Sequence, residues 1–317
     1  MKFIFIFLFS VLSCEIYDVT VVGGGPAGLT AGLYAARLGL KTLVVAGEIP
    51  GGQLTGTSLV ENFPGFVEGI DGALLIGNMR RQAEKYGALI KEENAESVSF
   101  TQFPYILTLG TKEKVRSRTI IIATGAFPRR LGLLSEGALF GKGVSTCAVC
   151  DASLYKGKKV VVIGGGDSAF EEALLLSRFA SKVTMVHRSG SFKAQAVLRE
   201  RVMKTENIEI KTHRTVKEIC DPEKGFVTGI IMLSGGVEEK LACDGVFLAI
   251  GHEAGTGWLL GSGILDGKGR IAALPRGVFS AGDVADEHYR QAITAAGSGC
   301  KAALDAYYYL QNQENVQ

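Results

Sequence analysis

The sequence predicts an α/β fold with two Rossmann-like three-layer dinucleotide-binding domains, and three observations carry that prediction. Two stretches, Tyr17–Ala46 and Lys159–Val186, each read strand, glycine-rich turn, helix, strand within about thirty residues. A length of 317 residues suits about two domains. Hydrophobic content of 47% with 21% charged residues and 42 glycines describes a folded chain with many close backbone approaches.

Taken in order, Met1-Lys2 precedes an apolar run from Phe3 to Leu12, then Ser13-Cys14. One positive charge, a short apolar core and small residues at its end have the pattern of a secretory signal peptide, and the run is too short to span a bilayer. The alternative is an apolar extension ahead of a domain that begins near Tyr17. No other segment reads as membrane-spanning. A net charge of +2 exerts no overall pull toward nucleic acid or membrane. Six cysteines spread over this length do not form a secreted disulfide framework, and they suit a reducing compartment with one catalytic pair.

The run Tyr17–Val22 is β-branched and ends at glycine, as a buried parallel strand does. Gly23, Gly24, Gly25, Pro26, Ala27 and Gly28 follow, then a helix-forming stretch from Leu29 to Leu38 and a second strand from Thr42 to Ala46. In a G-x-G-x-x-G turn the first glycine permits the bend, the second lets backbone approach a pyrophosphate, and the third lets helix pack on strand. The helix N-terminus offers N–H groups to the phosphates. A ribose-binding acid is expected roughly twenty residues beyond the turn. Glu48 stands a little late for that role, and its alternative reading is a solvated loop residue. Gly51-Gly52-Gln53-Leu54 and Glu61-Asn62-Phe63-Pro64-Gly65 are loop signals. Gly72–Tyr86 reads as a helix, and Phe100–Leu109 and Thr119–Ile122 as strands.

The pattern restarts with the strand Lys159–Ile163, the turn Gly164-Gly165-Gly166-Asp167-Ser168-Ala169, the helix Phe170–Phe179 and the strand Lys182–Val186. Ala169 takes the third glycine position, which the fingerprint allows. No acid follows the second strand. Arg188, aided by Lys193, would attract a 2′-phosphate where a carboxylate would repel it, so this turn favours NADPH over NADH. The alternative is that both are surface cations. Ile208–Gly251 alternates short apolar runs with polar turns. Gly277–Val284 is a strand running into Gly282-Asp283, an acid placed to accept from a flavin ribityl hydroxyl, and Ala292–Leu310 is a long helix. Two nucleotide sites in one chain imply two dinucleotides exchanging electrons.

Between the two units lies Cys147-Ala148-Val149-Cys150-Asp151. By itself a C-x-x-C motif is half a zinc site, a structural disulfide or a redox pair. Zinc needs four ligands, and neither a second C-x-x-C nor a paired histidine motif exists in the sequence. Flanked by two nucleotide turns, the pair reads as an electron relay. Cys14, Cys220, Cys243 and Cys300 read as ordinary apolar residues or part of the leader.

These motifs, with Ala123-Thr124-Gly125 and the run Tyr289–Gly297, occur in the order found in one family. The chain resembles the low-molecular-weight thioredoxin reductases from about Tyr17 to Leu310. Residues 1–14 are set aside as an apolar leader, and the resemblance implies an FAD-binding domain in two segments, 15–127 and 254–317, and an NADPH-binding domain at 128–253 that carries the redox pair. It implies a cytoplasmic homodimer whose domains rotate during turnover, with thioredoxin as protein substrate, no metal, no nucleic acid and no transmembrane span. Gly23–Gly28 would hold the FAD pyrophosphate, with Glu48, Gln53, Asn62, Gly282, Asp283, Arg290, Gln291 and Ala292 completing that site. Gly164, Gly166, Ser168, Arg188 and Lys193 would hold NADPH. Cys150 would take electrons from the flavin, Cys147 would attack the thioredoxin disulfide, and Asp151 would protonate the departing thiolate.

Three departures from the family pattern stand out. Ser189 and Lys193 stand where arginines are common, and lysine lacks arginine's bidentate fork. Ala152 replaces a glycine after the acid, and the apolar leader is unusual. The competing readings are a flavin-dependent dithiol oxidase, a reductase of another disulfide protein, and a flavin-binding module without catalysis.

Overall fold

Runs of β-branched residues bury both faces of a strand, which suits central positions in parallel sheets covered on both sides. The computed structural model describes residues 12–48, 50–57 and 59–314. The chain divides into two units, one formed by residues up to Phe127 and from Ala254 onward, the other by Pro128–Glu253.

The first unit opens with β1 (Leu12–Val22), α1 (Pro26–Arg37), β2 (Thr42–Val45), α2 (Gly72–Lys85) and β3 (Leu89–Lys91). β4 (Ala95–Ser99), β5 (Tyr105–Leu109), β6 (Lys114–Ile122) and β7 (Ala126–Pro128) follow. β1 starts before the predicted Tyr17. Of the leader assigned to residues 1–14, residues 1–11 lie outside the described residues. The strand expected over Phe100–Leu109 begins only at Tyr105, because Pro104 has no N–H for the ladder and restricts the residue before it. The sheet order is β3-β2-β1-β6-β5-β4. β1 is parallel to both β2 and β6, and β5 and β4 are added antiparallel.

In the second unit come α3 (Leu134–Leu139), β8 (Val144–Ser145), α4 (Ala148–Asp151), β9 (Lys159–Ile163), α5 (Asp167–Leu176), β10 (Lys182–Val186) and α6 (Ala196–Met203). β11 (Ile208–Lys211), β12 (Thr215–Ile219), β13 (Gly229–Ser234), β14 (Val237–Ala242), β15 (Gly245–Leu248) and β16 (His252–Ala254) complete it. Its parallel sheet has the order β11-β10-β9-β15-β8. One face packs Val160, Val162, Val183, Met185 and Phe247 against Phe170, Ala173 and Leu176 of α5. The other packs Val161, Ile163, Val186, Val246 and Leu248 against Ile219, Ile230 and Met232 of the antiparallel β12-β13-β14 layer.

Returning to the first unit, β17 (Val278–Ser280) pairs in parallel with Ile120–Ile122 of β6, and α7 (Ala292–Glu314) follows. Side chains alternate across that sheet. Val19, Val21, Val44 and Ile121 meet alanines of α1 and α7, while Leu43, Val45, Ile120 and Ile122 meet Leu107, Leu109 and Leu259.

Candidate active site

The first glycine turn is shaped by two demands that can be separated atom by atom. A Cβ on Gly23, where φ is +128°, would lie 2.1 Å from the Ala123 carbonyl oxygen, and one on Gly28 would lie 1.9 Å from that of Gly23. These two glycines serve the fold itself: the bend and the packing of α1 on β1. Gly25 differs. Its φ of −82° suits any residue, and a Cβ there would meet nothing nearer than the Gly51 oxygen at 3.9 Å. The protein leaves that space empty beside an α1 N-terminus that has no side-chain cap, with Pro26 in its first turn. By contrast α2 is capped by Asp71, whose Oδ1 accepts from the Leu74 N–H at 2.9 Å. An uncapped helix start over open space fits a pyrophosphate.

Other segments of this unit converge on the same turn. Gly51 and Gly52 approach Gly25, and Gln53 Nε2 donates to the Ala126 carbonyl at 2.6 Å. Gly282, with φ +74°, sits against Ala27, so Asp283 is delivered beside the turn. Asp283 Oδ1 is buried without a hydrogen-bond partner. Burial, then the charge of Asp286, push its carboxyl up to about 6, while Arg290 pulls it down. An orphaned acceptor of this kind fits a ribityl hydroxyl donor. Asn62 Nδ2 donates to Gln291 Oε1 at 3.2 Å across 229 residues of sequence. Asp286 shapes the Arg290–Ala292 run by accepting from the His288 and Tyr289 N–H groups at 2.8 and 2.9 Å. Glu48 is exposed after β2, its N–H donating to Asn94 Oδ1 at 3.3 Å, and its carboxylate makes no hydrogen bond among the described residues.

In the second unit the division of labour recurs. A Cβ on Gly164 would strike the Ala249 oxygen at 2.3 Å, and one on Gly165 the His187 ring at 2.4 Å. Gly166, the N-cap of α5, has nothing within 4 Å and makes no side-chain cap. Ser168 is exposed in the first turn, and Arg188 and Lys193 are exposed on the turn after β10. The Lys193 N–H donates to the Gly165 carbonyl at 2.9 Å, which ties that turn to the glycine loop. This site therefore fits a second dinucleotide.

Cys147 follows β8, so the cysteine pair leaves the same carboxyl end of the parallel sheet as the Gly164–Ala169 loop, with only β15 between their strands. Cys147 and Cys150 form a disulfide with Cα atoms 5.3 Å apart. Cys147 is the N-cap of α4. Its carbonyl accepts from the Cys150 and Asp151 N–H groups, and its Sγ accepts from the Cys150 N–H at 3.2 Å. The Cys147 N–H donates to Ser145 Oγ at 3.0 Å. Ser145 was not singled out from sequence; a serine two residues ahead of a helix N-cap is the signal that could have found it. Cys150 is exposed, whereas Cys147 and Asp151 are half-buried. Ala148 and Ala152 pack against Ala169 and Ala173 of α5, anchoring the motif to the nucleotide helix. Ala152 holds φ −57° and ψ −35°, so replacing the usual glycine imposes no backbone strain. Below it, burial, then the Asp151 charge, raise the Tyr155 hydroxyl to about 12. Among the described residues no cluster could hold a metal ion, and no helix is long and apolar enough to cross a membrane.

A family model described as pyridine nucleotide-disulphide oxidoreductase matches residues 17–299. The chain is 43% identical over 302 residues to a thioredoxin reductase of Rickettsia conorii, covering 92% of this chain and 97% of that protein. It is 42% identical over 312 residues to a glucosaminate ammonia-lyase of Pseudomonas fluorescens, covering 94% and 97%. A solved thioredoxin reductase from Giardia duodenalis superposes with a TM-score of 0.87 at 39% identity, covering 94% of this chain and 99% of that one.

Proposed function

The chain belongs to the pyridine nucleotide-disulphide oxidoreductase family, and on that premise we infer that it is a thioredoxin-disulfide reductase. The observation that carries this reading is the Cys147–Cys150 disulfide beside an uncapped nucleotide helix. The unit ending at Phe127 and resuming at Ala254 would hold FAD, through Gly23–Gly28, Gln53, Asn62, Asp283 and Arg290–Ala292. Pro128–Glu253 would hold NADPH through Gly164, Gly166, Ser168, Arg188 and Lys193. When bound, FAD relays to the disulfide the two electrons that NADPH delivers as hydride.

The residues themselves supply the thiol chemistry. Reduction opens Cys147–Cys150 to two thiols. The Cys147 thiolate attacks one sulfur of the thioredoxin disulfide, forming a mixed disulfide and expelling the other sulfur as thiolate, which takes a proton from Asp151. Cys150 then attacks Cys147, restoring the internal disulfide and releasing the second thioredoxin thiol. Cys147 is the better placed nucleophile because the backbone N–H of Cys150 points at its sulfur and stabilises negative charge there. The working protein is a homodimer by family pattern.

The test is NADPH-dependent reduction of a thioredoxin. Cys147→Ser and Cys150→Ser should each lose turnover by at least about a thousandfold. A Cys150→Ser variant that still turned over would sink the mechanism.

A further inference from the structure

The backbone of His213 is left-handed, with φ 53°, a conformation that non-glycine residues keep where the surroundings impose it. Two contacts impose it here. The Arg214 N–H donates to the His187 carbonyl at 3.0 Å, binding the loop after β11 to the loop after β10. The His213 ring also lies on Gly190, where a Cβ would come within 2.5 Å of Nε2. The imidazole is thus seated on the turn that carries Arg188 and Lys193.

Charges nearby sort into committed and uncommitted groups. Lys211 and Arg214 are both spent on Glu239, at 2.7 and 2.9 Å. Ser189, which stands where the resemblance leads one to expect a second arginine, turns its hydroxyl inward to His187 Nε2 at 2.9 Å and the Ser191 carbonyl at 2.8 Å. Arg188 and Lys193 make no ion pair among the described residues. The turn therefore presents two cations without a third, and the neighbouring loop brings an imidazole to it.

We infer that His213 is the third group of the 2′-phosphate pocket, donating an imidazole N–H to the phosphate alongside Arg188 and Lys193. This rests on NADPH being the reductant. It makes selectivity for the 2′-phosphate a property of two adjacent loops, with the donor missing at Ser189 supplied from the end of β11.

The experiment is calorimetric titration of the flavin-loaded protein with 2′,5′-ADP and with 5′-AMP, which differ only in the 2′-phosphate. His213→Phe keeps a ring against Gly190 and removes the N–H, while His213→Asn tolerates the left-handed backbone and removes the ring. Both should bind 2′,5′-ADP about fivefold more weakly, the size of an exposed charged contact, with 5′-AMP unchanged. Unchanged 2′,5′-ADP affinity in both variants overturns the inference. So does a loss confined to His213→Asn, which would make the ring a packing element, and so does equal weakening toward both ligands. If the unsubstituted protein does not distinguish the two ligands and Arg188→Ala changes nothing, the NADPH reading itself fails.

Discussion

Asp283 keeps an acceptor buried with no donor from the protein, and its ionisation links the site to pH. Its folded value, about 6, lies above the ordinary 3.8. The apoprotein therefore holds this proton more tightly than the unfolded chain does. It loses stability as pH rises from 3.8 through 6, because ionisation there leaves a carboxylate desolvated. A ribityl hydroxyl donating to Oδ1 favours the ionised form, so FAD affinity should run the other way. Titrating apoprotein by flavin fluorescence, we expect the FAD dissociation constant to rise as pH falls through about 6. Asp283→Asn should bind FAD about tenfold more weakly at pH 8 and show no step. A step of equal size in the variant would assign the pH dependence to another group. At this scale the sequence is legible where chemistry demands a residue type: two cysteines, two glycine turns, an acid after a strand. It is silent where the partner is a backbone oxygen, as with Gln53 on Ala126, or where an unrelated loop arrives, as with His213 on Gly190. Neither contact leaves a local pattern.

At the scale of the strand–turn–helix element, glycines that look alike in sequence have different duties, and substitution should separate them. Gly23→Ala places a Cβ 2.1 Å from a backbone oxygen at φ +128°, so the turn must deform. We expect a fall of several degrees or more in melting temperature, or failure to accumulate folded protein. Gly25→Ala adds its methyl to open space at an ordinary φ, so the far-ultraviolet circular dichroism and melting of the apoprotein should match the parent. The purified variant should nonetheless carry little flavin, because the methyl occupies the approach to the pyrophosphate. Full flavin content in folded Gly25→Ala would show that the empty space serves some other group. The elements themselves were legible in proportion to how completely they are buried. β1, β9 and β10 announce themselves as unbroken β-branched runs. α6 does not: of Ala196–Met203 only Val202 is buried, which leaves no periodic apolar stripe to read. The β12-β13-β14 layer has one solvated face, so β12 and β14 mix polar with apolar residues and stand out less than the apolar run of β13.

For the molecule as a whole, chain order and spatial order differ. The polypeptide leaves the first unit after Phe127 and returns at Ala254, and β17 completes that unit's sheet by pairing with β6. The turn at Gly23–Gly28 and the acid at Asp283 are therefore neighbours, although a complete second nucleotide unit and the cysteine pair lie between them in sequence. Pairing over such a separation leaves no trace in local periodicity, which is why the motifs reveal two sites more readily than which segments build each. The proposed assignment puts two stores of electrons in one chain, a flavin in one unit and a disulfide in the other. Each accepts a pair, so anaerobic reduction of the purified protein with dithionite should consume about four electrons per chain, and Cys150→Ser about two. Flavin absorbance in the variant should bleach fully within that first pair. Adding oxidised thioredoxin to the fully reduced parent protein should restore flavin colour, because electrons can leave through Cys147 and Cys150. In the reduced variant the colour should stay bleached, since no dithiol connects its flavin to the thioredoxin. Equal electron uptake by parent and variant would mean that the disulfide does not exchange with the flavin, leaving Cys147–Cys150 a structural bond and the relay without a path.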